Sequence, residues 1–238
     1  MFNRSFDRPE KKRSSMKKKQ KVNKGQGLNH QAINKVSESP SPEEINTMLA
    51  FINQNRYAEG ERYVKEITQR FPKHGFGWQV LGVILEAQGK NEDALLAMQQ
   101  AVELFPNDEN ALYNLANAFK NTGKLAQAED SYRRALQIKP DFWEVLYNLG
   151  ILLKESGRLA EAESSYQKAI NIKPDFVEGH YNLANLLKDS GRLAEAEKHY
   201  RQALQIKPNY APAHHNLANT LKELGRFSEA EDRYRWTL

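Results

Sequence analysis

The stretch that decides the fold runs from residue 145 to residue 174 and reads VLYNLGILLKESGRLAEAESSYQKAINIKP. Two other stretches repeat it at intervals of 34 residues. They are ALYNLANAFKNTGKLAQAEDSYRRALQIKP at 111–140 and GHYNLANLLKDSGRLAEAEKHYRQALQIKP at 179–208. A fixed period of this length predicts stacked units that contact only their neighbours, rather than one domain around a central core.

Each period predicts a helical hairpin. We number every unit from 1 to 34, so that the fourth unit spans 143–176. Apolar residues at positions 4, 7, 8 and 11 have the spacing of one helical face, and a second such stripe ends before Pro174, because proline disfavours helical backbone in the residue before it. Gly157 lies between the stripes, where a helix end favours a left-handed backbone. Asp175 is predicted to cap the next helix.

Small residues recur at position 8 and large ones at position 24. This alternation predicts that the two helices of a hairpin approach closely and that successive hairpins stack in a single register. Position 8 carries Gly82, Ala116, Gly150, Ala184 and Ala218, and position 24 carries Tyr132, Tyr166, Tyr200 and Tyr234.

These residues resemble the tetratricopeptide repeat pattern, with Leu at 7, Gly or Ala at 8, Ala at 20, Tyr at 24 and Pro at 32. The resemblance covers 41–238 and implies an all-α, right-handed superhelical solenoid of helical hairpins. The first unit departs most from the pattern, with Met48 at position 8, and is predicted to be a degenerate capping repeat. The predicted units are 41–74, 75–108, 109–142, 143–176, 177–210 and a partial 211–238.

The charge is unevenly distributed along the chain. The net charge is +5, yet residues 1–40 hold eleven Lys or Arg against three acidic residues, which leaves −3 for the repeats. This basic leader has few apolar residues and is predicted to be disordered. A nucleic-acid-binding arm or a nuclear localisation signal is the weaker interpretation, because the acidic repeats would not continue a basic track.

Composition and motifs exclude several classes of function. Cysteine is absent, which excludes disulfides and thiolate metal sites. Neither a membrane-spanning run nor a secretory signal is evident, so a cytoplasmic location is predicted. No phosphate-binding loop, metalloprotease or hydrolase motif occurs, and no cofactor, metal site or catalytic activity is predicted. His180 and His214 occupy position 4, where sister units have leucine, so packing is their expected role.

The face of the first helix opposite its apolar stripe is the candidate binding surface. Stacking would align amides, ammonium groups and aromatic edges there into rows. A row of asparagines can pair with the main chain of an extended peptide, and lysines beside it would favour an acidic one. The predicted binding residues are Asn114, Asn148, Asn182 and Asn216 at position 6; Asn117, Asn185 and Asn219 at position 9; Lys120, Lys154, Lys188 and Lys222 at position 12; and Tyr113, Tyr147 and Tyr181 at position 5.

The repeats also resemble the superhelix of O-linked N-acetylglucosamine transferases of the SPINDLY type and the repeats of bacterial sulfotransferases and glycosyltransferases. In the sugar transferases an inner row of asparagines holds the substrate peptide. Two functions follow: a non-catalytic scaffold that binds protein or peptide on its concave face, or the substrate-recruiting half of such a transferase without its catalytic domain. The departure of the last residues from the repeat pattern, with Trp236 at position 26, predicts a truncated or frame-shifted product whose last hairpin frays or associates end to end.

Overall fold

The computed structural model describes residues 38–236, which form twelve α-helices and no strand. This confirms the predicted all-α solenoid of helical hairpins. The prediction for the leader falls outside the described residues, apart from 38–40. The helices are α1 (Pro42–Asn53), α2 (Tyr57–Arg70), α3 (Gly75–Ala87), α4 (Asn91–Leu104), α5 (Glu109–Asn121), α6 (Leu125–Ile138), α7 (Trp143–Glu155), α8 (Leu159–Ile172), α9 (Val177–Asp189), α10 (Leu193–Ile206), α11 (Ala211–Glu223) and α12 (Phe227–Arg235).

Each helix packs against the next one in the chain, and first helices also contact the first helices of neighbouring hairpins, as α9 does with α11. None of the helices within residues 38–236 is both long and apolar enough to cross a membrane. The turns inside the second to sixth hairpins use a glycine at position 15, and Asn55, with a φ of +55°, takes that place in the first. Gly157 has a φ of +75°, and open space surrounds its Cα, so backbone conformation alone requires glycine there.

The predicted capping role of Asp175 is wrong. The residue before the first turn of α9 is Phe176, and no side chain caps that helix end. Asp175 lies one residue too early, inside a turn closed by the Phe176 N–H donating to the Lys173 carbonyl at 3.2 Å. Asp108 shows the required position, because its carboxylate accepts from two backbone N–H groups at the start of α5.

Close approach of the two helices is visible at Gly150 and Tyr166. A Cβ built on Gly150 would lie 2.7 Å from two ring carbons of Tyr166, which is itself 1% exposed. Gly82 has the same relation to Met98, the residue at position 24 of the second unit. The small and large positions read from the sequence therefore face each other inside each of these hairpins.

A row of ion pairs joins successive units along their second helices and was not predicted from the sequence. Arg158 lies 2.8 Å from Glu129, Arg192 lies 2.6 Å from Glu163, and Arg226 lies 2.6 Å from Glu197. Each arginine also contacts the carboxylate three residues later in its own helix. The arginine side chains are exposed and the glutamates are half-buried, so solvent screens these pairs, and their regular spacing follows the stacking of the units.

The last unit exposes two aromatic side chains. Phe227 is 66% exposed, and Trp236 is 65% exposed while its ring stacks on His214 at 5.3 Å between centroids. End-to-end association through this unit stays a prediction.

Candidate functional site

The predicted binding residues lie on four first helices, α5, α7, α9 and α11, next to the buried stripe at positions 4, 7, 8 and 11. Asn114 is buried and Lys222 is exposed. The others are half-buried: Asn117, Asn148, Asn182, Asn185, Asn216 and Asn219, Tyr113, Tyr147 and Tyr181, and Lys120, Lys154 and Lys188. The rows thus occupy the boundary between core and solvent rather than the fully solvated face expected from the sequence.

The asparagines at position 6 donate hydrogen bonds to the preceding unit. Asn148 Nδ2 lies 3.0 Å from the Tyr113 hydroxyl and Asn182 Nδ2 lies 2.7 Å from the Tyr147 hydroxyl. Asn216 Nδ2 makes the same bond to Tyr181 at 3.0 Å. One N–H of each amide therefore holds adjacent units together. The second N–H of Asn216 also donates, to Asn185 Oδ1 at 2.8 Å. This leaves the three Oδ1 acceptors and the second N–H groups of Asn148 and Asn182 for other partners.

The asparagines at position 9 accept hydrogen bonds from tyrosines of the second helix. Tyr132 donates to Asn117 Oδ1, Tyr200 to Asn185 and Tyr234 to Asn219, each at 2.6 Å. Since the hydroxyl occupies Oδ1, each of these amides is oriented with its Nδ2 away from that tyrosine. From the sequence these tyrosines are predicted only to pack between helices, although their spacing of 15 residues from asparagine recurs in three units.

Burial keeps the tyrosine hydroxyls protonated. Desolvation raises the pKa of Tyr147 to about 12 and also raises the pKa values of Tyr132 and Tyr200. The hydroxyls therefore remain hydrogen-bond donors throughout the physiological pH range, and the orientation of the amides does not change with pH in that range.

The lysine row is partly neutralised by the next unit. Lys154 Nζ lies 3.4 Å from Asp189, and Lys188 Nζ lies 3.5 Å from Glu223. These carboxylates at position 13 reduce the positive potential that the lysines alone would provide.

A second row of aromatic rings borders the amides and was not predicted. Tyr147 contacts Phe176 with ring centroids 4.7 Å apart, and Tyr181 contacts Tyr210 at 5.4 Å. Trp143 lies beside this row, with its ring centroid 4.7 Å from that of Phe176. The ammonium group of Lys173 lies over the Trp143 ring, 4.3 Å from its centroid. The signal in the sequence is an aromatic residue at position 34, which recurs in Phe142, Phe176 and Tyr210.

Two features limit the extent of the site. In the second unit Val80 and Val83 are buried at positions 6 and 9, so the amide rows begin at α5. In the fourth unit Ile151 replaces the asparagine at position 9. The site is a surface of oriented amides with an aromatic edge, and residues 38–236 contain no group of three or more side chains that could hold a metal ion.

His180 does more than fill the position of a leucine. Its Nε2 lies 3.1 Å from the Pro174 carbonyl and its Nδ1 lies 3.1 Å from Nδ1 of His199. A carbonyl can only accept, so Nε2 carries the proton and Nδ1 accepts from the protonated Nδ1 of His199. His214 donates to Pro208 in the same way at 2.8 Å, and Trp78 donates to Pro72 at 2.9 Å.

This histidine pair predicts a loss of stability in mild acid. Burial, followed by the neighbouring His180 and Lys198, lowers the pKa of His199 from 6.5 to about 4, against a smaller opposing effect of Glu195 and Glu163. Between these values the unfolded chain binds more protons, so stability that is complete above pH 6.5 falls as the pH drops through about 4. Because His199 is half-buried, we expect about 1–3 kcal/mol from this group.

Urea denaturation between pH 4 and pH 7 measures this effect. His199→Gln retains a donor to His180 and should show a flatter pH profile than the wild type. His215→Gln, at an exposed position, is the matched control and should keep the wild-type profile. Parallel profiles for the wild type and His199→Gln would show that the pair has no part in the acid sensitivity.

Models of known protein families match the repeats of this chain. Three family models, each described as a tetratricopeptide repeat, match this chain: one at 49–109, 80–141 and 113–175, one at 153–199 and one at 177–238. The chain belongs to the tetratricopeptide repeat family. A search of curated proteins found no match. The family assignment confirms the predicted repeat class, whereas nothing found supports the finer resemblance to the sugar transferases.

Solved structures of other tetratricopeptide repeat proteins resemble this one in fold. MamA is 23% identical, with a TM-score of 0.62 over 68% of this chain and 95% of its own. YrrB, described as a repeat protein with an unusual peptide-binding site, is 19% identical, with a TM-score of 0.61 over 73% and 90%. PilF of Pseudomonas aeruginosa is 15% identical, with a TM-score of 0.73 over 80% and 87%.

Proposed function

We propose that this tetratricopeptide repeat protein is a non-catalytic scaffold that binds an extended segment of a partner protein along the concave face of its first helices. The observation that carries the proposal is the orientation of the amides by tyrosine hydroxyls. At position 6 the Oδ1 atoms of Asn148 and Asn182 remain acceptors, because their Nδ2 atoms donate to tyrosine. At position 9 the Nδ2 atoms of Asn117 and Asn185 remain donors, because their Oδ1 atoms accept.

Acceptors and donors held in two parallel rows suit the main chain of a peptide. Each extended residue offers one N–H and one C=O, which these rows can satisfy whatever the side chains are. The hydroxyl bonds fix each amide before binding, so less conformational entropy is lost when the peptide binds. The aromatic row along Phe176 and Tyr210 would contact apolar side chains at the edge of the peptide.

Two opposing features of the surface bear on the charge of the partner. The sequence predicts a preference for acidic segments, but the carboxylates beside Lys154 and Lys188 weaken that attraction. A binding role without chemistry is consistent with the site, which offers amides, hydroxyls and rings. It also agrees with YrrB, a neighbour described by its peptide-binding site. We propose a cytoplasmic setting for this role, as the sequence analysis does.

Nuclear magnetic resonance tests the proposed face directly. The probe is a capped peptide of alternating alanine and serine, with a second version carrying aspartates. We expect the side-chain amide resonances of Asn117, Asn148, Asn182 and Asn185 to shift on titration. Asn171 is an exposed asparagine on α8 and serves as the internal control. Shifts confined to second-helix residues, or no saturable shift with either peptide, would rule out the first-helix face.

A further inference from the structure

We infer that the outer surface of the second and third units is a separate docking site, and that its occupant is a basic amphipathic segment of another protein. The site is a groove of about 430 Å³ between α4 and α6, with α5 beneath it. It is distinct from the amide rows, because its walls are the second helices α4 and α6 and none of its lining residues belongs to those rows. Its lining comprises Gln99, Val102, Leu115, Phe119, Ala126, Gln127, Asp130, Ser131 and Arg134.

The floor of this groove is apolar. Val102, Leu115 and Phe119 line the groove and are buried, with 8%, 5% and 7% of their surface exposed. An aliphatic side chain placed in the groove would remove that remaining apolar surface from water. The α6 wall carries Asp130 and Arg134, with 3.9 Å between their charged groups, so it is close to neutral.

Three residues before the lining residue Gln99, α4 breaks the repeat pattern at a solvent position. Leu96, at position 22, is 64% exposed. Sister units have polar residues there: Arg62, Asp130, Ser164, Lys198 and Asp232. This leucine therefore adds apolar surface close to the apolar floor of the groove, and a partner's side chain would cover both.

Charge identifies the partner. Residues 75–108 hold five carboxylates and one ammonium group, a net charge of −4, whereas all the repeats from 41 to 238 together carry −3. The acidity of the solenoid is therefore concentrated in this one unit. Glu92, Leu96, Gln99 and Glu103 recur at helical spacing and form one exposed face of α4. Glu92 pairs with Lys124 Nζ at 3.2 Å, so most of the negative charge that this face offers a partner comes from Glu103. A segment with lysines or arginines beside a leucine-like side chain complements this face and the groove.

Fluorescence anisotropy with the full chain tests the site. The probe is a labelled peptide of leucine and lysine at helical spacing, and the comparison peptide has glutamate in place of every lysine. We expect the lysine peptide to bind and the glutamate peptide to bind at least about tenfold more weakly. The double variant Leu96→Lys/Glu103→Lys should weaken binding of the lysine peptide at least about tenfold. Leu96→Ser, which introduces the residue of the fourth unit, should weaken it by a smaller factor.

The matched control is Ser164→Lys/Asn171→Lys, which changes the same two helical positions of α8 and should leave binding within about twofold of the wild type. Circular dichroism verifies that each variant is folded. Equal losses in both double variants would show general charge attraction and overturn the proposal. A wild-type dimer that disappears in Leu96→Lys/Glu103→Lys would assign the groove to a second copy of this chain and would also overturn it.

Discussion

Replacing Tyr166 with alanine is expected to lower the free energy of unfolding by about 3–5 kcal/mol. The ring is 1% exposed and packs directly on Gly150, where a Cβ would lie only 2.7 Å from it. Alanine would leave a cavity between α7 and α8 that two helices fixed by their neighbours can close only partly. Chemical denaturation followed by circular dichroism measures the change.

Phenylalanine variants separate packing from hydrogen bonding at position 24 of the repeat, which Tyr166 and Tyr200 both occupy. Tyr200→Phe removes the hydroxyl that donates to Asn185 at 2.6 Å and should cost about 0.5–1.5 kcal/mol. Tyr166→Phe should cost less, because the fourth unit has Ile151 where the others have the accepting asparagine. If both phenylalanine variants lose the same stability, the tyrosine–asparagine bond is not the stabilising contact that we infer.

Replacing Asn148, Asn182 and Asn216 together with alanine is expected to weaken peptide binding by about 10- to 1,000-fold. Each lost hydrogen bond to the peptide should cost about 0.5–1.5 kcal/mol, and three such losses multiply in the dissociation constant. The same change also removes three bonds to tyrosines of preceding units, so a loss of stability is expected as well. Affinity is measured by calorimetry at a temperature at which circular dichroism shows the variant folded.

The matched control changes the tyrosines and keeps the amides. Tyr113→Phe, Tyr147→Phe and Tyr181→Phe together remove the same three bonds between units. This variant should lose similar stability but less affinity than the asparagine variant, because the asparagines can still reach the peptide although no hydroxyl orients them before binding. Equal losses of affinity in the two triple variants would mean that the asparagines act through packing between units and not through contact with the peptide.

Periodicity made the fold predictable. The helices follow the apolar spacing, the turn glycines follow position 15, and the contact of Gly150 with Tyr166 follows from the alternation of small and large residues. The cap at Asp175 was wrong, because a shift of one residue along the chain moves a carboxylate away from the N–H groups that it must reach. Such one-residue differences depend on turn geometry, which a repeat pattern does not specify.

The candidate site was predictable in its residues but not in its bonding. The rows at positions 5, 6 and 9 could be read from the sequence as one face of a helix. Their hydrogen bonds join residues 35 positions apart between units and 15 apart within a unit, as Asn182 with Tyr147 and Tyr200 with Asn185. These hydrogen bonds depend on how helices pack within a hairpin and how one hairpin stacks on another. Only the structure therefore shows that the amides are half-buried and oriented.

The sequence by itself determined the class of this protein, because a 34-residue period of apolar, small and turn-forming residues leaves stacked helical hairpins as the arrangement that buries every apolar stripe. The tertiary structure decided which groups pair across that stack. It placed Arg158 against Glu129, His180 against His199, and a tyrosine hydroxyl against each asparagine at position 9 of the third, fifth and sixth units. The physical reason is that periodicity fixes which face of a helix is buried, whereas pairing requires atoms from different helices within about 3 Å.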